Sequence, residues 1–304
     1  MKNNIIGQEH WTYKDNVKLF MWEKYCKNNK DFLGTILFVH GSSMPSQPTF
    51  DLHVEGRPYS SAMDWFAIRG FDVWCCDMEG YGRSDKSRDI NCDINNGAND
   101  IKAITDYIEK TRQCGPLLIY GISSGSLRAA LFAECYPDRV KRLALDAFVW
   151  TGEGSPTLAQ RKLNLNNFIS SNRRPIDKKF IYSIFERDHP DTADKETIES
   201  FADAILKLDN SVPTGTYVDM CSKLPLVDPK KILIPTIIMR GEFDGIAHIN
   251  DIINFYLLLP NSDKQFVMMP GISHASFQQK NYLLVYDILY GFFSLTEPVY
   301  KQRG

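Results

Sequence analysis

Short apolar runs separated by amphipathic stretches recur along most of this chain. Thr35–Val39, Phe71–Cys75, Leu117–Tyr120, Arg142–Leu145, Thr236–Met239 and Gln265–Met268 are each four or five residues long and mostly apolar, the pattern of strands covered on both faces. Helical periodicity fills most of the intervals, so the chain predicts an α/β fold: a mainly parallel sheet with crossover helices. Near the start, Gln8–Tyr13 and Val17–Tyr25 flank Asp15-Asn16 and predict an antiparallel hairpin. The interval from about Phe148 to Asp228 differs. It shows no strand pattern, and its apolar residues recur at helical spacing around Leu158–Ile169, Lys178–Glu186 and Lys195–Leu208. We read residues 149–228 as a helical cap inserted after the sixth strand, and residues 1–148 and 229–304 as the core that carries it.

Chemistry concentrates where the predicted strands end. Leu117–Tyr120 runs into Gly121-Ile122-Ser123-Ser124-Gly125 and then into a helical stretch, which is strand, G-x-S-x-G, helix. Two glycines without a Cβ permit a tight turn that lifts the central serine into reach, so Ser123 is a candidate nucleophile. A nucleophilic serine needs a base and a group that orients the base. His274, in Pro270-Gly271-Ile272-Ser273-His274 after the strand at 265–268, supplies the first; Asp244, in Arg240-Gly241-Glu242-Phe243-Asp244 after Thr236–Met239, supplies the second. Asp146 also follows a strand and stands as the alternative acid. Asp77 is read as a turn residue and His40 as a loop-holding one. Backbone amides to receive a developing oxyanion are expected from Ser124, directly after the nucleophile, and from Ser42 in the glycine-permitted turn His40-Gly41-Ser42-Ser43.

Composition narrows the classes of partner. With Lys+Arg 35 against Asp+Glu 37 in 304 residues, there is no basic field to attract nucleic acid or anionic lipid, and a small-molecule substrate is expected. The first seven residues lack the apolar core of a signal peptide and no run is long enough to span a bilayer, so a cytoplasmic protein is expected. Seven cysteines without metal-type C-x-x-C spacing predict reduced thiols and no structural zinc. Oligomeric state is not legible.

Taken together, His40-Gly41, Asp77–Ser84, the elbow at Ser123, Asp244 and His274 resemble the α/β-hydrolase fold superfamily in type and order over nearly the whole chain. The resemblance implies an eight-stranded, mostly parallel sheet with helices on both faces, a Ser-His-Asp triad, an inserted cap and no cofactor. A serine at the elbow separates the chain from haloalkane dehalogenases and epoxide hydrolases, which carry aspartate there. Gly-Ile-Ser-Ser-Gly also departs from the Gly-Gly-Ser-Trp-Gly form common in proline iminopeptidases. The stretch His53–Phe66, with Trp74 and Asp77–Ser84, is similar to a bacterial branch that includes serine-dependent macrolide esterases. The expected activity is therefore a serine esterase or lactonase, with macrolide antibiotics as its narrowest form. Carbon–carbon bond hydrolysis of vinylogous diketones and a non-catalytic ligand receptor are the alternatives on the same fold. His53 and Arg57, in the long loop after the oxyanion turn, and Trp150, at the entry to the cap, are the expected substrate contacts; Leu163, Phe168, Ile169, Phe180 and Ile184 are candidates to enclose an apolar group.

Overall fold

A computed structural model of the chain describes residues 5–27 and 31–298; the first four residues of the N-terminal segment discussed above lie outside them. The strands are β1 (Ile5–Lys14), β2 (Val17–Cys26), β3 (Gly34–Val39), β4 (Phe71–Cys76), β5 (Leu117–Ile122), β6 (Val140–Asp146), β7 (Arg173–Pro175), β8 (Ser211–Pro213), β9 (Thr236–Gly241) and β10 (Lys264–Met269). Eight of them form one sheet in the order β1-β2-β4-β3-β5-β6-β9-β10. β2 pairs antiparallel with both β1 and β4, and every other pairing is parallel. This is the eight-stranded, mostly parallel sheet that the resemblance to the α/β-hydrolase fold implies. The hairpin β1–β2 closes on Asp15, whose φ of 51° is the left-handed conformation that a two-residue turn requires.

Alternate residues of the central strands feed two apolar layers. In β3, Leu37 and Val39 point to one layer and Ile36 and Phe38 to the other; in β5, Leu117 and Ile119 are separated in the same way from Leu118 and Tyr120. The first layer is covered by the helices Ile94–Arg112 and Ser124–Cys135, through Ile101, Ile104, Ile108 and Leu127. The second is covered by Ala62–Ala67 and Tyr282–Phe293, through Phe66, Val285 and Leu289. Full burial of each such side chain stabilises the fold by about 1.5–3 kcal/mol, so the strands must be apolar on both faces and read as unbroken runs.

Between β6 and β9 lie five helices: Pro156–Lys162, Leu165–Ile169, Lys178–Glu186, Lys195–Leu206 and Gly215–Ser222. Two details differ from the periodicity. The stretch expected to be helical from Leu158 to Ile169 breaks at Leu163-Asn164 into two short helices. And the interval read as strandless holds β7 and β8, paired antiparallel with each other and tied by Arg173, whose Nε donates to Ser211 Oγ at 3.0 Å. At three residues each, with Pro175 and Pro213 at their ends, these strands are too short to show an alternating pattern. All seven cysteines are free. Among the described residues, no helix is long and apolar enough to cross a membrane.

Candidate active site

The parallel strands β3, β5, β6, β9 and β10 deliver the chemistry-bearing loops to one edge of the sheet, beyond their carboxyl ends. At the end of β5, Ser123 has φ 58° and ψ −124°, a conformation that L-residues rarely adopt. The surrounding backbone holds it there. Ser123 N–H donates to Asp146 O at 2.9 Å, Ser126 N–H to Ser123 O at 3.0 Å, and Ser126 Oγ lies 2.6 Å from the carbonyls of Gly121 and Asp146. Both glycines of the motif are sterically required: a Cβ at Gly121 would sit 2.4 Å from Gly125 O, and one at Gly125 would sit 2.3 Å from Val39 O.

His274 lies between Ser123 and Asp244. Its Nε2 is 2.9 Å from Ser123 Oγ, and its Nδ1 is 3.0 and 3.1 Å from the two carboxylate oxygens of Asp244. All three residues are buried. Burial opposes ionisation of Asp244, but His274 and the amides of Ile246 and Ala247, which donate to Oδ1, outweigh it and hold the carboxyl below the usual range. The turn that presents Asp244 is stapled by Arg240, whose guanidinium donates to the carbonyls of Gly241, Glu242, Asp244 and Ala247. Asp146 is placed otherwise: its Oδ2 accepts from Tyr120 OH at 2.6 Å, and burial, its largest influence, pushes its pKa up to about 7.

The loop after β3 passes close over the elbow. A Cβ at Gly41 would lie 3.3 Å from Ser123 Cβ, and Ser42 Oγ donates to Ser124 Oγ at 2.7 Å. Ser124 opens its helix, where its amide has no carbonyl partner within the helix. His40 is buried and fixes the loop. Met78 N–H donates to its Nε2 at 3.0 Å, which puts the ring proton on Nδ1, 2.7 Å from Gly41 O. Burial pushes its pKa down to about 3, so the ring is neutral. Asp77 joins the two loops by accepting from Ser46 N–H and Oγ at 2.7 Å and from Arg83 N–H at 2.8 Å.

A cavity of about 20 Å³ adjoins Ser123 and His274, with Ser42, Ser43, Met44 and Ile184 in its wall. Arg161, Arg187 and Tyr217 line it too, and the same three residues line an outer vestibule of about 820 Å³ that also includes Phe168, Arg174 and Phe180. Trp150, His53 and Arg57 are not brought to either space. Trp150 donates from Nε1 to Val227 O at 3.2 Å and packs near Phe255. Arg57 donates to the carbonyls of Phe277, Gln278 and Gln279 and stacks on Tyr282, fixing the segment that follows His274. His53 is largely exposed beside Asp51. The expected apolar enclosure is only partly present: Leu163 and Ile169 are 75% and 60% exposed, while Phe168 and Phe180 share the vestibule with arginines.

Those arginines are absent from the sequence reading, although a signal existed. Arg161 stands three residues after buried Leu158, and Arg187 three after buried Ile184, so each continues a buried helix face as a cation. Asp51, His53 and Asp64 also come within 4.8 Å of one another. Lys24 Nζ, 2.6 and 2.7 Å from the two carboxylates, already supplies positive charge there.

Comparison with known proteins agrees with this architecture. A family described as "Serine aminopeptidase, S33" matches residues 52–281. A curated relative, "Uncharacterized protein YnbC" of Escherichia coli (strain K12), is 21% identical over 97% of this chain, which spans about half (48%) of that relative's length. Among solved structures, a soluble variant of monoglyceride lipase from Saccharomyces cerevisiae, in complex with a substrate analog, superposes with a TM-score of 0.70 at 18% identity, covering 95% of each chain. A thermophilic esterase from Thermogutta terrifontis does so with a TM-score of 0.65 at 18% identity, covering 94% of this chain and 99% of its own. At these identities the likeness is one of fold.

Proposed function

Because the chain belongs to the family described as "Serine aminopeptidase, S33", we propose that it is a serine hydrolase that cleaves a carboxylic ester or lactone through an acyl-enzyme at Ser123. The observation that carries this reading is the His274 ring, hydrogen-bonded on one side to Ser123 Oγ and on the other to Asp244, beside a cavity. His274 Nε2 takes the Ser123 proton as Oγ attacks the carbonyl carbon, and the amides of Ser42 and Ser124 receive the oxyanion. The C–O bond to the alcohol breaks and the alcohol leaves with the proton from His274. Water then gives a proton to the same ring and adds to the acyl carbon, releasing the acid and restoring the serine. No cofactor enters these steps, and a small molecule in the cytoplasm is the substrate on this reading.

An ester is favoured over a peptide N-terminus by the cavity wall. An aminopeptidase must accept an α-ammonium group close to the scissile bond, where Arg161 and Arg187 would repel it. A macrolide ring is far larger than the inner cavity of about 20 Å³, so such a substrate would occupy the outer vestibule with its carbonyl reaching inward. Labelling by a fluorophosphonate and turnover of p-nitrophenyl butyrate test the reading, and both should vanish in Ser123→Ala. Turnover that persists in that variant would refute it, and tight ligand binding without labelling would mark a receptor. A macrolide that gains no water by mass spectrometry removes the narrowest form.

A further inference from the structure

The wall between the inner cavity and the vestibule holds more positive charge than the structure pairs. Arg161 and Arg174 stack over the buried Tyr217 ring at 4.2 and 4.0 Å, and Arg187 completes the group. One carboxylate belongs to it: Asp188, which accepts from Arg187 Nε at 3.2 Å and, weakly, from Thr157 Oγ1. Arg174 donates to neutral acceptors, Ser43 Oγ at 2.7 Å and Ser42 O at 3.4 Å. The Arg161 guanidinium, stacked on Tyr217, makes no side-chain hydrogen bond or ion pair among the described residues. Nε of Arg174 and one Nη of Arg187 are buried without a hydrogen-bond partner. On a chain whose net charge is −2, this is a local concentration of cations and not general basicity.

Such an arrangement costs folding free energy, because buried guanidinium nitrogens give up water and Arg161 is repelled by Arg174 and Arg187. Tyr217 responds to the same field: burial opposes its ionisation, but Arg161 and Arg174 outweigh it and bring the phenol down to about 7. An incoming anion would relieve the repulsion and occupy the free donors. Position then decides what that anion is. Arg161, Arg187 and Tyr217 line the same small cavity as Ser123 and His274, and about 20 Å³ is little more than one water requires, so the anion and the scissile carbonyl must be close neighbours.

We propose that Arg161, Arg174 and Arg187 form a collar that binds an oxyanion group of the substrate, a carboxylate or a phosphate, so that the preferred esters are anionic. Guanidinium forks suit both groups, since each presents two oxygens to paired N–H donors. The proposal rests on the hydrolase reading for its kinetic arm only. In that arm, kcat/KM is compared for mono-p-nitrophenyl succinate, glutarate and adipate and for their methyl-capped diesters, which lack the charge. The best anionic ester should exceed its capped partner by about tenfold or more, the range of charge-assisted hydrogen bonds. Arg161→Gln should shrink that ratio mainly through KM, Arg161→Lys should restore part of it, and Arg161→Glu should invert it.

The second arm needs no turnover. Glutarate, inorganic phosphate and glycerol phosphate are titrated by calorimetry into Ser123→Ala and into Ser123→Ala/Arg161→Gln. Binding that weakens at least about tenfold in the double variant supports the collar, and the tighter ligand identifies carboxylate or phosphate. Anion binding with no turnover of any ester would leave the collar standing and overturn the hydrolase reading. Ester turnover with no preference for the anionic series, or anion affinity indifferent to residue 161, would overturn the collar.

Discussion

Asp146 and Asp244 are both buried at the carboxyl ends of adjacent parallel strands, yet their surroundings act on them in opposite senses. Asp244 faces an imidazole and two backbone amides, and stays ionised. Asp146 is fully buried, and its burial outweighs the hydroxyls of Tyr120 and Ser276, so it holds its proton up to about 7. In the proposed reaction, only the first can stabilise an imidazolium as Ser123 gives up its proton. Asp244→Asn should therefore lower kcat by about four orders of magnitude with little change in fold, because the amide no longer holds His274 in the tautomer that accepts the serine proton. Asp146→Asn should leave turnover near the parent value. Steady-state kinetics on one p-nitrophenyl ester, with circular dichroism to confirm folding, checks both; equal losses would show that Asp146 orients the base through a contact this geometry lacks. The sequence offered both aspartates as strand-end acids and favoured Asp244, but the Tyr120 contact that separates them depends on two neighbouring strands and cannot be read along the chain.

Elements with strong periodicity were legible, and so were the residues tied to their ends. The central strands β3, β4, β5 and β9 are mostly apolar runs because both faces are covered, whereas β10, at the edge of the sheet, is only half-buried. Ser123, Asp244 and His274 lie one, three and five residues beyond the ends of β5, β9 and β10, so their common edge follows from parallel topology. The elements that escaped are those whose identity is tertiary: β7 and β8, three residues each, and the arginine collar, whose members come from three separate elements between β6 and β9. Loop contacts were misread for the same reason. Arg57 was expected at the substrate, whereas its guanidinium is spent on three carbonyls after His274. The elbow shows how strictly local geometry can bind two elements together. Val39 O lies where a Cβ at Gly125 would go, so helix and strand approach to the limit that glycine allows. Gly125→Ala should destabilise the protein by more than about 2 kcal/mol in urea unfolding, since the obstruction is backbone and cannot swing away. A loss below about 0.5 kcal/mol, the range of unconstrained surface sites, would mean that the helix and β3 can separate.

At the scale of the molecule, buried acids make stability depend on pH in two opposing directions. Glu79, buried, is lowered to about 2: burial works against this, and Arg88 and Lys14 prevail, so its contribution is lost as pH falls through that value. Asp146 works the other way. Its ordinary value is 3.8 and its folded value about 7, so the folded chain holds a proton that the unfolded chain releases throughout the interval between. The stability tied to that proton is complete below about 4 and disappears as pH rises through 7, a difference on the order of 4 kcal/mol. Asp72, raised to about 8 by burial and by its neighbour Glu23, adds to the same decline. Asp146→Asn keeps an acceptor for Tyr120 and removes the titration, which isolates one contribution from this composite. Unfolding free energies measured in urea from pH 4 to pH 8 should fall less steeply for the variant, with the two curves closing by several kcal/mol across the interval. Parallel curves would mean that Asp146 is ionised in the folded protein at neutral pH, and that the hydrogen bonds from Tyr120, Ser276 and the Ala147 amide outweigh the cost of its burial.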